Sequence, residues 1–206
     1  MANKKLLVEG NDDKHVMLAL CEKFDIPENF EIIDCQGISN ILERFPIDFK
    51  TSGTKTVGVI VDADTDIRAR WASLKTKLES AGFAVPDNLP ESGLIAENHS
   101  GQKAGVWIMP NNEMDGMLED FMSFLVPHDD NLMPIVGSTL DDIELKRLNK
   151  YKNSDRSKAN IHTWLAWQDA PGTPLGLSIT KRYLTTEEEI CEKLTDWLKN
   201  CSSDLQ

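Results

Sequence analysis

Val57-Gly58-Val59-Ile60-Val61-Asp62-Ala63-Asp64-Thr65-Asp66 is the stretch on which the fold turns. An unbroken apolar run, Val57 to Val61, stops abruptly in acids at alternate positions, Asp62, Asp64 and Asp66. A run of this kind reads as a strand buried on both faces, the usual state of a strand in a parallel sheet. Ligands of such sheets bind beyond the carboxyl ends of the strands. Carboxylates crowded there repel one another, and a hard cation such as Mg²⁺ would relieve the repulsion. The competing reading is a solvated, acidic turn leading into a helix.

Upstream, Lys5 to Glu9 reads as a first strand, and Gly10 permits a tight turn. Asn11, Asp12 or Asp13 then caps a helix running to about Phe24, with Val16, Met17, Leu20 and Phe24 near one face. Phe30 to Cys35 is a second strand, followed by a short helix from Ile38 that ends before Pro46. Downstream of the acids, Ile67 to Ser80 is amphipathic, with Ile67, Trp71, Leu74 and Leu78 at helical spacing and Gly82 at its C-cap. Residues 84–104 read as a loop or a hairpin. Gly105 to Pro110 is a further strand, ending at Glu113 and Asp115, and a helix starts near Met117 with Glu119 and Asp120 in its first turn.

This alternation of strand and helix predicts an α/β fold with a mainly parallel sheet flanked by helices. We divide the chain into an α/β domain over 1–135 and a mainly helical extension over 136–206 packed on the same domain. That extension is read as helices over about 139–149 and 157–168, a Pro/Gly loop from Ala170 to Gly176, and a last helix from Thr186 with Glu189 completing a capping box. The last helix presents Ile190, Leu194, Trp197 and Leu198 inward. Trp164 and Trp167 read as core residues.

Composition narrows the function classes. The chain has 206 residues, 40% of them hydrophobic and 27% charged, as in an ordinary globular protein. No apolar stretch is long enough to span a membrane, and the N-terminus lacks the pattern of a signal peptide, so the expected location is the cytoplasm. Cys21, Cys35, Cys191 and Cys201 form no C-x-x-C pair, which argues against a zinc site or a disulfide framework. His15, His99, His128 and His162 form no motif, and neither a Walker A sequence nor a nucleophile elbow is present. The net charge of −12 opposes tight, unspecific binding to nucleic acid. The local exception is Lys146, Arg147, Lys150, Lys152, Arg156 and Lys158, set against the single acid Asp155.

Three strand ends therefore carry acids: Glu9, then Asp62, Asp64 and Asp66, then Glu113 and Asp115. In a parallel sheet they lie on one edge. Val8-Glu9-Gly10 followed by Asp12-Asp13, and then Val61-Asp62-Ala63-Asp64, resembles the Toprim domain of topoisomerases, primases, OLD-type nucleases and small stand-alone proteins. The resemblance spans about residues 4–125 and is nearest to the last two groups. It implies a Toprim-like, Rossmann-like sheet and phosphoryl transfer on nucleic acid, DNA or RNA, dependent on Mg²⁺ or Mn²⁺. It also implies Glu9 as ligand or general acid/base, and Asp62 and Asp64 as ligands, with Asp13 and Asp66 completing the shell. Asp66 matches no motif position, and capping the next helix is its other reading. Lys158 is the match for a lysine used by OLD-type nucleases, against the alternative of a solvated helix lysine. The basic run 146–158 would hold the nucleic-acid backbone.

Hard carboxylate oxygens suit these cations, and a bound cation can activate water and neutralise a leaving oxygen. Two other readings stand beside a Toprim-type nuclease or nuclease subunit. One is a non-catalytic or partner-dependent module working with a separate ATPase, since related nucleases often carry a fused one. The other is a phosphatase that uses Asp62 as nucleophile.

Overall fold

The computed structural model describes residues 3–27 and 29–203. Strands β1 (Lys4–Val8), β2 (Glu31–Asp34), β3 (Thr56–Asp62), β4 (Leu94–Glu97) and β5 (Lys103–Met109) form one sheet in the order β2-β1-β3-β5-β4. The first four in that order are parallel, and β4 runs antiparallel to β5 at the edge. The chain is thus α/β, with a mostly parallel five-stranded sheet between layers of helix. The stretch 84–104 takes the hairpin form: β4 returns through residues 98–102 into β5.

Strand alternation builds two cores. Leu7, Val57, Val59, Val61, Val106 and Ile108 face one side, under helices α2 (Ile38–Asp48) and α3 (Ile67–Ser80). Leu6, Val8, Ile60, Trp107 and Met109 face the other, with α1 (Asn11–Lys23), α4 (Leu118–Phe124), α5 (Met133–Leu145), α6 (Arg156–Ala166), α7 (Leu175–Thr180) and α8 (Glu189–Ser202). Residues from the first two-thirds of the chain and from the C-terminal helices share this second cluster. Burial on both faces explains why the strands read as continuous apolar runs.

Several elements depart from the sequence reading. Helix α2 does not end before Pro46 but carries it and continues to Asp48. A proline this close to the C-terminus forfeits one helical hydrogen bond. The last turn is held instead by Asp48, whose carboxylate is 2.7 Å from Lys5 Nζ and 2.8 Å from Arg44 Nε. The Pro/Gly stretch contains the start of a helix, α7, whose Gly176 packs against the backbone of α1. Helix α5 begins at Met133, earlier than its spacing suggests, because Pro134 occupies its first turn and Asp130 accepts the Leu132 and Met133 N–H groups. Helix α8 begins at Glu189 with no side-chain cap, so Thr186 and Glu189 form no capping box. Trp164 is buried as expected, whereas Trp167 is 44% exposed.

Two glycines set the position of α8. Gly58 in β3 and Gly105 in β5 are register partners. A Cβ at Gly58 would lie 2.8 Å from Cys201 Sγ, and one at Gly105 2.7 Å from the same atom and 3.0 Å from Trp197. Their missing side chains leave a shallow valley that admits Cys201 and Trp197, a close approach that strand glycines permit. Gly105→Ala is therefore expected to destabilise the fold by about 1–3 kcal/mol through overpacking. Adding Cys201→Ala should restore part of the loss, as read by equilibrium denaturation of the single and double variants.

Candidate metal centre

The chain leaves β1 toward β2 on one side and returns through β3 on the other. The crevice between the carboxyl ends of β1 and β3 is thus a topological switch point, where open α/β sheets bind ligands. Glu9 follows β1 and Asp62 ends β3. Glu9 Oε1 accepts the Asp62 N–H at 2.9 Å, which ties the two strand ends together.

Two helix starts close over this crevice. Asp13, in the first turn of α1, accepts the Gly10 N–H through Oδ2 at 3.1 Å and is 7% exposed. Its other oxygen, Oδ1, is buried and has no hydrogen-bond partner. Asp62 Oδ1 accepts the N–H of Leu118, the first residue of α4, at 2.9 Å. Glu119 follows and is 5% exposed, with Lys158 Nζ from α6 at 3.6 Å from its Oε1. The convergent acids are thus Glu9, Asp13, Asp62 and Glu119, with Lys158 on their rim.

Burial and mutual repulsion dominate their electrostatics. Burial pushes Asp62 up to about 8, and Asp13, Glu9 and Glu119 add to the rise. Burial, followed by Glu9 and Glu119, pushes Asp13 up to about 7. Glu9 is raised by burial, against the opposing effects of the Asp62 N–H, Arg70 and Lys158. Partial burial lowers the Lys158 ammonium, but Glu119 and Asp62 outweigh it and the net shift is upward. Burial first, and then repulsion among these carboxyls, favours their protonated forms, and a cation would relieve the repulsion.

The remaining acids of the opening stretch lie elsewhere. Asp64 has φ 55° and is turned out, with its Oδ2 2.5 Å from Arg70. Asp66 caps α3 by accepting the Ala69 N–H at 2.9 Å. Asp115 accepts the Ile67 N–H at 2.8 Å and secures the same helix start. Asp12 and Glu113 are exposed. The sequence reading placed Asp64 and Asp66 in the metal shell; the structure gives them to Arg70 and to a helix cap. The reading passed over Glu119, treating it as a charge suited to the helix dipole. Its signal was position, an acid in the first turn of the helix after β5, on the same sheet edge as Glu9 and Asp62.

The basic run is only half free. Lys146 pairs with Asp142 at 2.6 Å, Arg156 with Asp141 and Glu144 at 2.7 Å each, and Lys158 with Glu119. Arg147, Lys150 and Lys152 are exposed, with no side-chain ion pair among the described residues.

The donor set suits Mg²⁺ or Mn²⁺: carboxylate oxygens only, one of them a buried orphan. Among the described residues no three acidic, histidine or cysteine side chains stand together as a finished ligand shell. Binding would therefore draw the four carboxylates toward one another.

A family model described as "Protein of unknown function (DUF3226)" matches residues 3–203. The chain belongs to that family. No curated protein and no solved structure matches it. The family match covers both the crevice and α8, which seals the sheet from the other end of the chain. Among the described residues no helix is long and apolar enough to cross a membrane.

Two measurements check this electrostatic picture. Burial holds the folded pKa of Asp62 above the ordinary carboxyl value of 3.8, so over much of the range from about pH 4 to about pH 8 the folded chain holds a proton that the unfolded chain has lost. Its contribution is largest at the acid end and is lost as pH rises through the folded value. Between about pH 5.5 and about pH 8.5 in EDTA, the unfolding free energy of the native chain should fall relative to Asp62→Asn by on the order of 3 kcal/mol. A flat difference would contradict the assignment. Asp66→Ala should cost about 1 kcal/mol through loss of the α3 cap, read by the same denaturation.

Proposed function

We propose that this protein is a Toprim-like, divalent-cation-dependent phosphodiesterase acting on nucleic acid, as a nuclease or the nuclease subunit of a larger assembly. The observation that carries the reading is a set of four convergent acids at the switch point of the sheet, Asp13 and Glu119 buried and Glu9 and Asp62 partly buried, with Asp13 Oδ1 lacking any partner. Retaining such a cluster is costly to a fold, and a function that needs it would account for its presence.

Glu9, Asp13, Asp62 and Glu119 would hold Mg²⁺ or Mn²⁺. When bound, the cation supplies positive charge to a phosphoryl oxygen and lowers the pKa of an attacking water. The Asp62 N–H keeps Glu9 oriented across the crevice, and the Leu118 N–H does the same for Asp62. Glu9, raised in pKa yet reached by two cations, suits proton transfer as well as ligation. Lys158, 50% exposed beside Glu119, is placed to meet an incoming phosphate. A phosphatase using Asp62 as nucleophile is less favoured, because Asp62 is partly buried and its Oδ1 is already engaged by the Leu118 N–H.

The acidic total charge and the half-neutralised basic run favour a second reading, in which a partner such as an ATPase supplies much of the grip on nucleic acid. The test uses the full chain with single- and double-stranded DNA and RNA in Mg²⁺ or Mn²⁺. Cleavage should be abolished by EDTA and lowered about 100-fold or more by Glu9→Gln, Asp62→Asn or Glu119→Gln. Calorimetric Mn²⁺ binding without cleavage would select the partner-dependent form. No Mn²⁺ binding and no cleavage would refute both.

A further inference from the structure

Arg70 is held tightly beside the acidic loop. It lies one turn into α3, yet its side chain reaches back to the acidic loop and is only 13% exposed. Nε donates to the Asp62 backbone carbonyl at 2.7 Å, and a terminal nitrogen donates to Asp64 Oδ2 at 2.5 Å. It stands close enough to Glu9 to favour the ionised form of that carboxyl. Asp64 is also within electrostatic reach of Glu9, which it disfavours. A rigid guanidinium fork therefore sits at the mouth of the crevice, and one exposed carboxylate occupies its outward edge.

Asp64 is a poor permanent partner. It is 54% exposed, so water competes for its carboxylate, although Arg70 itself is only 13% exposed. The backbone of its loop is held independently, since Asp64 and Gly116 exchange two N–H to C=O bonds at 2.8 Å. The side chain can leave without unravelling the turn. With Asp64 displaced, a guanidinium fixed on one side by a carbonyl would present parallel N–H donors on the other, the geometry that oxyanions such as phosphate accept bidentately.

We propose that Arg70 is a phosphate-binding residue masked by Asp64. In the free protein Asp64 occupies the guanidinium; an oxyanion of the phosphodiester class displaces it. A cation bound by the neighbouring carboxylates draws Asp64 away from Arg70 and so unmasks the donor pair. Cation and phosphate binding are then coupled through one side chain. The coupling rests on the cation-dependent reading above, whereas the masked anion seat does not.

The experiment measures binding of a short single-stranded oligodeoxythymidylate by fluorescence anisotropy, with EDTA or with Ca²⁺, alongside calorimetry of Ca²⁺ alone. The variants are Asp64→Asn, Arg70→Gln and Arg70→Lys. Asparagine tolerates the positive φ of position 64, so Asp64→Asn keeps the loop conformation. In EDTA, Asp64→Asn should bind the oligonucleotide about tenfold more tightly than the native chain, the worth of one charge-assisted contact. Adding Arg70→Gln to Asp64→Asn should abolish that gain. Arg70→Lys should recover little of it, because an ammonium cannot span the carbonyl and the phosphate together. In the native chain Ca²⁺ should tighten oligonucleotide binding, and Arg70→Gln should lose the tightening while still binding Ca²⁺.

Asp64→Asn with no gain in EDTA, or a gain that survives Arg70→Gln, overturns the proposal. A native chain that binds no Ca²⁺, together with an Asp64→Asn gain that needs Arg70, overturns the cation reading and the coupling but leaves the anion seat standing. Thermal melts of each variant identify loss of fold, and Arg70→Lys serves as the milder variant if Arg70→Gln unfolds.

Discussion

Burying carboxylates with too little positive charge nearby is the constraint around which the rest of the molecule is arranged. Glu9 and Asp62 are fixed to each other through a backbone N–H. α1 then brings Asp13 to the same crevice, and α4 brings Glu119 while donating the Leu118 N–H to Asp62. α6 adds Lys158 from the C-terminal third. Each element is held in place by its own apolar face, so the two cores on either side of the sheet offset the electrostatic cost of the crevice. A chain selected only for stability would replace such acids with apolar residues.

The strand framework was legible because its strands are buried on both faces. Val57 to Val61 and Gly105 to Met109 contain no polar residue, as strands covered on both faces do, and their alternation with helical segments points to a parallel sheet. Glu9 and Asp62 were legible for the same reason, since each stands where an apolar run stops. The details that escaped are those decided by tertiary partners. Pro46 reads as a stop until Asp48 is seen anchored to Lys5. The start of α7 is hidden in a stretch rich in Pro and Gly, because Gly176 is there to let two backbones meet.

Within the acidic loop, side-chain direction was beyond the reach of spacing. Alternate positions after a strand face the same way only while the strand continues. At Asp64 the backbone passes through positive φ, so Asp64 and Asp66 leave the face that Asp62 occupies. Glu119 was overlooked for a complementary reason. A helix start explains an acid adequately when taken alone, and only the sheet order shows which helix starts meet. The basic segment illustrates a further limit: among the described residues, six positive residues in sequence become three without an ion pair in space, because α5 supplies Asp141, Asp142 and Glu144 and α4 supplies Glu119 alongside them.

The valley formed by Gly58 and Gly105 also bears on how the molecule is made. α8 fills it with Cys201 and Trp197, and Lys103 reaches the backbone carbonyls of Asn200 and Ser203. Strands β3 and β5 are synthesised well before the helix that covers them. During translation the centre of the sheet, apolar and without side chains at its lowest point, stays open until nearly the whole described chain has left the ribosome. Contacts of such long sequence separation form late and slowly. That apolar face is therefore uncovered in the interval between the synthesis of β5 and that of α8, an exposure that the finished fold no longer displays.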